Sequence, residues 1–85
     1  MVYDVRLDKR AQKQLNKLQP ITQIKVAQAI QGLSELTAQS GAVKKLKKPL
    51  VGYRKRVGSY RILFDIDENT LTIYKIRHRK DAYNA

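Results

Sequence analysis

The chain has no cysteine and a single histidine. Without thiols there is no disulfide framework, no zinc knuckle and no thiol nucleophile. One imidazole excludes a histidine-rich metal site. Acidic residues are scarce: seven Asp and Glu face eighteen Lys and Arg, a formal net charge of +11. An excess this large points to a polyanionic partner, whether nucleic acid, anionic membrane or acidic protein. The membrane option finds no support, because no apolar run reaches transmembrane length. The start, Met1 to Arg6, is not followed by the apolar region of a signal peptide. Neither a basic amphipathic helix nor a lipid anchor is evident. The expectation is a cytoplasmic chain with no membrane partner, no metal and no cofactor. No internal repeat or low-complexity tract appears.

What is present suits one small domain spanning residues 1–85, with 42% hydrophobic residues and a modest core. Val2 to Leu7 alternates, with Tyr3, Val5 and Leu7 on one side, and predicts a short strand. Asp8 suits a helix N-cap. Ala11, Leu15 and Leu18 then share a helical face, and Lys9, Arg10, Lys13 and Lys17 form a solvated side. Pro20 opens a second helix, where its missing N–H costs nothing. Ile21, Ile24, Val26, Ala27, Ala29, Ile30, Leu33 and Leu36 give that helix a wide apolar stripe. Gly32 inside it costs roughly 1 kcal/mol against alanine, which a close helix–helix contact would explain. Ser40-Gly41 supplies the stop. Residues 42–52 form a basic connector around Lys44, Lys45, Lys47, Lys48 and Pro49. It reads equally as a solvated loop or as a phosphate-contacting rim.

Two runs rich in β-branched and aromatic residues follow, separated by Gly58-Ser59. That pair fits a two-residue type II′ turn, with glycine at the first central position. The register then pairs Val57 with Tyr60, Arg56 with Arg61, Lys55 with Ile62, Arg54 with Leu63 and Tyr53 with Phe64. Residues directly opposite share a face. One face holds Tyr53, Lys55, Val57, Tyr60, Ile62, Phe64 and Ile66 and is mostly apolar. The other holds Arg54, Arg56, Arg61, Leu63 and Asp65. For the next turn a three-residue loop, Glu68-Asn69-Thr70, puts Phe64 opposite Tyr74 and Ile62 opposite Ile76. It brings Lys75 and Arg77 to the cationic face, and Arg79 too if the strand runs that far. Leu71 and Ile73 then fall on the open face. Asp65, Asp67 and Glu68 are accounted for by a polar hairpin tip. The predicted fold is α+β: an N-terminal strand, a helical hairpin and a three-stranded antiparallel meander (β-α-α-β-β-β), with the helices on one face of the sheet.

The segments Lys45-Leu46-Lys47-Lys48-Pro49-Leu50, Gly52 to Phe64, and Ile76-Arg77-His78-Arg79-Lys80-Asp81-Ala82-Tyr83 together resemble the RelE/ParE toxin superfamily. The resemblance covers nearly the whole chain, because the order of elements also matches. It implies a toxin of a type II toxin–antitoxin system, with a cognate antitoxin as partner. RelE-type members are endoribonucleases that cut mRNA in the ribosomal A site, whereas ParE-type members inhibit DNA gyrase. By this resemblance Arg61 matches the family's active-site arginine, Arg79 the arginine after the last strand, and Tyr83 the C-terminal catalytic tyrosine. Arg54 and Arg56 stand where RelE has two lysines, which keeps charge but changes hydrogen-bond geometry. His78 lies where some relatives carry a His-Arg pair. The glutamate base of certain relatives has no counterpart.

Metal-free RNA cleavage needs a base for the ribose 2′-hydroxyl, charge stabilisation at phosphorus and a proton for the leaving 5′-oxygen. Arginines suit the second task. The expected catalytic set is Arg61, assisted by Arg56 and Arg79, with Tyr83 or His78 moving the proton. Arg54, Arg56, Lys45, Lys47, Lys48 and Arg77 would hold RNA. A non-catalytic basic nucleic-acid-binding module is the third reading of the same cations.

Overall fold

Tyr3, Val5 and Leu7 turn inward while Asp4 and Arg6 stay exposed, so the first strand, β1 (Asp4–Leu7), has the alternation its sequence requires. The computed structural model describes residues 3–35, 43–46 and 52–80. Helix α1 (Lys9–Asn16) is capped by the Asp8 carboxylate, which accepts from the Ala11 N–H at 2.9 Å. Helix α2 (Pro20–Gly32) has Pro20 in its first turn and passes into a 3-10 turn at Leu33–Glu35. Strands β2 (Val43–Lys45), β3 (Tyr53–Val57), β4 (Tyr60–Asp67) and β5 (Thr70–His78) complete the order.

The strands form one mixed sheet in the order β1-β5-β4-β3-β2. β1 runs parallel to β5, and the other neighbours are antiparallel. The β-α-α-β-β-β order is therefore present with one addition: the basic connector supplies the edge strand β2, paired with β3. Three residues, two of them lysines, carry too little alternation to announce a strand.

The core lies between the helices and one sheet face. It comprises Ala11, Val26, Ile30 and Leu33 from the helical half, and Ile62, Phe64, Leu71, Ile73 and Ile76 from the sheet. Each fully buried large side chain contributes roughly 1.5–3 kcal/mol. Tyr53 stacks on Phe64 with centroids 5.7 Å apart and locks β3 to β4 on this face. The apolar stripe of α2 is narrower than its sequence suggests: Ile21 and Ile24 are 72% and 58% exposed. Gly32 is the last residue of α2, and a Cβ there meets nothing within 4 Å, so no helix–helix contact explains it. The stop expected at Ser40-Gly41, and Leu36, lie outside the described residues.

Two backbone bonds dock β1: Tyr3 N–H donates to Ser34 O at 2.7 Å and Asp4 N–H to Asn69 O at 2.8 Å. At its other end Asp8 N–H reaches Ile73 O at 3.0 Å before the chain turns into α1. Beyond that point no strand among the described residues pairs with β5 on this side. Gln14 of α1 takes over, its Oε1 accepting from the Ile76 N–H at 2.7 Å. Nothing in the helical pattern singles out Gln14, because its role appears only when α1 lies along the strand edge.

Glycines test this packing in opposite directions. Gly52 has φ of 105°, and a Cβ there would collide with the Phe64 carbonyl oxygen. Gly52→Ala is expected to destabilise by more than about 1 kcal/mol. Gly32→Ala is expected to stabilise by about 0.5–1 kcal/mol through helix propensity. Urea unfolding of both variants beside the parent checks the two signs.

Candidate nucleic-acid interface

The face of the sheet turned away from the helices is built by two hairpins. Gly58 takes φ of 57°, the positive value that the first central residue of a type II′ turn needs. The β3–β4 register is the one the turn dictates, from Val57↔Tyr60 to Tyr53↔Phe64. Arg54, Arg56 and Arg61 therefore share the open face.

The second hairpin differs from expectation. Its loop has two residues, Glu68-Asn69, with Asp67 paired to Thr70 and Glu68 at φ of 55°. Phe64 accordingly faces Ile73 rather than Tyr74, and Leu71 and Ile73 are fully buried in the core instead of lying on the open face. A register shift then occurs between Leu63 and Phe64, where Tyr74 is the extra residue that β5 inserts into the ladder. Such a bulge advances one strand by a residue and reverses its alternation. Beyond it Leu63 pairs with Lys75, Ile62 with Ile76, Arg61 with Arg77 and Tyr60 with His78. The spacing of Leu71, Ile73 and Ile76 (two, then three) is the trace this leaves in the sequence.

The result is a row of arginines across three strands: Arg56 opposite Arg61, and Arg61 opposite Arg77. Adjacent strands lie about 4.8 Å apart, so three guanidinium groups start from a span of about 10 Å. The neighbouring row runs Lys44, Arg54, Leu63, Lys75. Leu63 is only 6% exposed although it stands on the open face. Its neighbours in register on both sides are long cationic side chains, whose stems cover apolar surface while the charged heads stay in water. Lys45 pairs with Tyr53 and so falls on the helix-side parity, leaving Lys44 at the register position that belongs to the cationic rows.

β5 ends at His78, so strand alternation does not reach Arg79. Arg79 is exposed and held at the same end of the sheet by its own N–H, which donates to Ser59 O at 2.6 Å. His78 lies on the other face. Its ring meets Tyr60 edge-on, with centroids 5.0 Å apart and planes at 90°. Both rings line a cleft of about 450 Å³ between α2 and the β3–β4 turn, together with Thr22, Lys25, Val26 and Val57. The structure thus brings Arg54, Arg56, Arg61 and Arg77 together, sets Arg79 at their end of the sheet, and separates His78 from them. Lys47, Lys48 and Tyr83 lie outside the described residues.

A family profile described as ParE toxin of type II toxin-antitoxin system, parDE, matches residues 5–83. The chain is 37% identical over 87 residues to "Toxin RelG" of Mycobacterium tuberculosis, with 98% of each chain covered. The chain belongs to the RelE/ParE toxin superfamily. Its fold is that of the toxin–antitoxin complex RelBE2 from Mycobacterium tuberculosis, at TM-score 0.81 and 31% identity over 93% of this chain and 100% of that one. It also matches the RelB–RelE antitoxin–toxin complex of Methanococcus jannaschii, at TM-score 0.75 and 25% identity over 92% and 94% of the two chains. Among the described residues of this RelE/ParE member, no helix is long and apolar enough to cross a membrane.

The arginine row and the bulge each yield a measurable consequence. Like charges opposite one another cost roughly 0.2–1 kcal/mol per pair, less where water screens them. Arg56→Gln is expected to raise stability by about a few tenths of a kcal/mol at low salt, an effect that shrinks as salt is added. Thermal unfolding across a salt series checks it. The Tyr74 phenol is held above its ordinary value by burial and, secondarily, by the negative charge of Asp65. A raised value means stability that is present below about pH 10 and lost as pH rises through the folded-state value. Tyr74→Phe is expected to flatten the stability curve in that alkaline window, as read by urea unfolding at stepped pH.

Proposed function

We propose that this toxin is a ribosome-dependent endoribonuclease that cleaves mRNA in the A site and so inhibits translation. The observation that carries the reading is the Arg56–Arg61–Arg77 row on the sheet face turned away from α1 and α2. In this scheme the ribose 2′-oxygen attacks the adjacent phosphorus as its proton leaves to a base. The bond from phosphorus to the 5′-oxygen breaks, and that oxygen takes up a proton. The products are a 2′,3′-cyclic phosphate and a 5′-hydroxyl, with no oxidant or metal in the balance. Arg61, half-buried at the centre of the row, stabilises the charge that builds on the phosphoryl oxygens. Arg56 and Arg79 assist, and Arg54, Arg77 and the connector lysines Lys47 and Lys48 hold the RNA backbone. Tyr83 is the residue assigned to proton transfer.

The RelBE2 and RelB–RelE relatives are complexes with antitoxins. For this chain we infer a cognate antitoxin whose acidic or amphipathic segment covers the cationic face and the helices. Mutual neutralisation would relieve the self-repulsion of a chain at +11. The site of action is the cytoplasm, where ribosome and message are the further partners.

A second reading, inhibition of DNA gyrase, is favoured by one observation: the matching profile is described for ParE toxins. Primer extension on a message in a translating extract separates the two. The nuclease reading expects discrete cuts within codons, only with ribosomes present, and a loss of about 10²–10³-fold for Arg61→Ala. An intact message together with blocked supercoiling by purified gyrase gives the answer to the second reading.

A further inference from the structure

We propose that His78 is a positioning residue that fixes the exit from β5 and presents Arg79, and that it is not the group that takes the 2′-hydroxyl proton. The inference rests on the nuclease reading and assigns a role within it. Three observations carry it. First, the His78 Nδ1 accepts a hydrogen bond from the Lys80 N–H at 3.1 Å. A neutral imidazole has one lone pair in the ring plane and one N–H. With the lone pair on Nδ1 engaged, the proton sits on Nε2, and taking up a second proton would break the bond to Lys80. Second, the ring lies on the sheet face opposite Arg61 and Arg77, edge-on to Tyr60. Third, two successive backbone N–H groups are held where the strand ends. Arg79 N–H is bound by Ser59 O and Lys80 N–H by the imidazole. The chain therefore leaves β5 in one defined direction, with the Arg79 side chain exposed beside the β3–β4 turn.

The groups facing His78 are Tyr60 of β4 and Lys25 of α2 across the cleft, with Arg77 and Arg79 flanking it in the chain.

Asparagine and glutamine separate the two roles. Asn Oδ1 stands close to where Nδ1 does and can accept from the Lys80 N–H, but it cannot take up a proton. Gln reaches toward the Nε2 position and leaves that N–H behind. In ribosome-programmed cleavage by the full-length chain, His78→Asn is expected to stay within a few-fold of the parent and keep the shape of its pH–rate profile. His78→Gln is expected to lose up to about 10²-fold through misplacement of Arg79. Loss of about 10²–10⁴-fold in both variants, with disappearance of a limb near the ordinary histidine value, makes His78 the proton-transfer group and overturns the proposal. Full activity in both overturns it as well. An activity-independent readout covers failure of the nuclease reading itself. In an NMR titration the Lys80 amide resonance must move with His78 protonation, stay in place in His78→Asn and be displaced in His78→Gln. A Lys80 amide indifferent to the imidazole refutes the positioning role even if the parent cuts no message.

Discussion

The register shift between Leu63 and Phe64 decides where the charge of this molecule goes. β5 must bury Leu71 and Ile73 beside Ile66 and Phe64, because these residues close the core under α1. An unbroken strand with that parity would send Lys75 and Arg77 inward and Ile76 outward. One inserted residue, Tyr74, resolves the conflict. Before it the odd positions face the core, and after it the even ones do. The same chain then supplies apolar closure at one end of the sheet and a cationic surface at the other. Gln14 belongs to this arrangement, since its amide satisfies the Ile76 N–H beyond the point where β1 stops covering the strand edge. A part-buried N–H left without a partner there would cost about 1–3 kcal/mol.

Charge and stability pull in opposite directions on the open face. Two cross-strand arginine pairs in one row are a local conflict within a domain of only 85 residues. Such conflicts occur where function demands them. A polyanion laid across the row would remove the repulsion and release its own counterions. The proposed RNA substrate and the proposed antitoxin are both chemistries that do this, which makes them competitors for one surface.

Much of this was legible in residue order. Gly58-Ser59 fixes the first hairpin because glycine carries the positive φ, and the whole β3–β4 register follows from it. Asp8 and Pro20 mark both helix starts. The second hairpin departs from the expected loop because its positive φ falls on Glu68, where no glycine or asparagine advertises it. The expected three-residue loop and the observed two-residue turn with a bulge give the same parity past Lys75. Arg61 and Arg77 therefore meet as expected, for a different reason. β2 escaped notice because a three-residue edge strand among lysines has no alternation to read. Ile21 and Ile24 were counted into the core because helical period shows which residues share a face, not how far the partner surface extends. The separation of His78 from Arg61 follows from alternation, because β5 runs through both Arg77, which pairs with Arg61, and His78.

Mapping an uncleavable RNA onto the folded chain tests the central claim most directly. The probe is a short single-stranded RNA whose 2′-hydroxyls are methylated, followed by the Nε–Hε resonances of the arginines. The account predicts that Arg56, Arg61 and Arg77 shift together and saturably, and that the shifts weaken as salt rises. Shifts confined to the α1 lysines, with the arginine row unmoved, would contradict it.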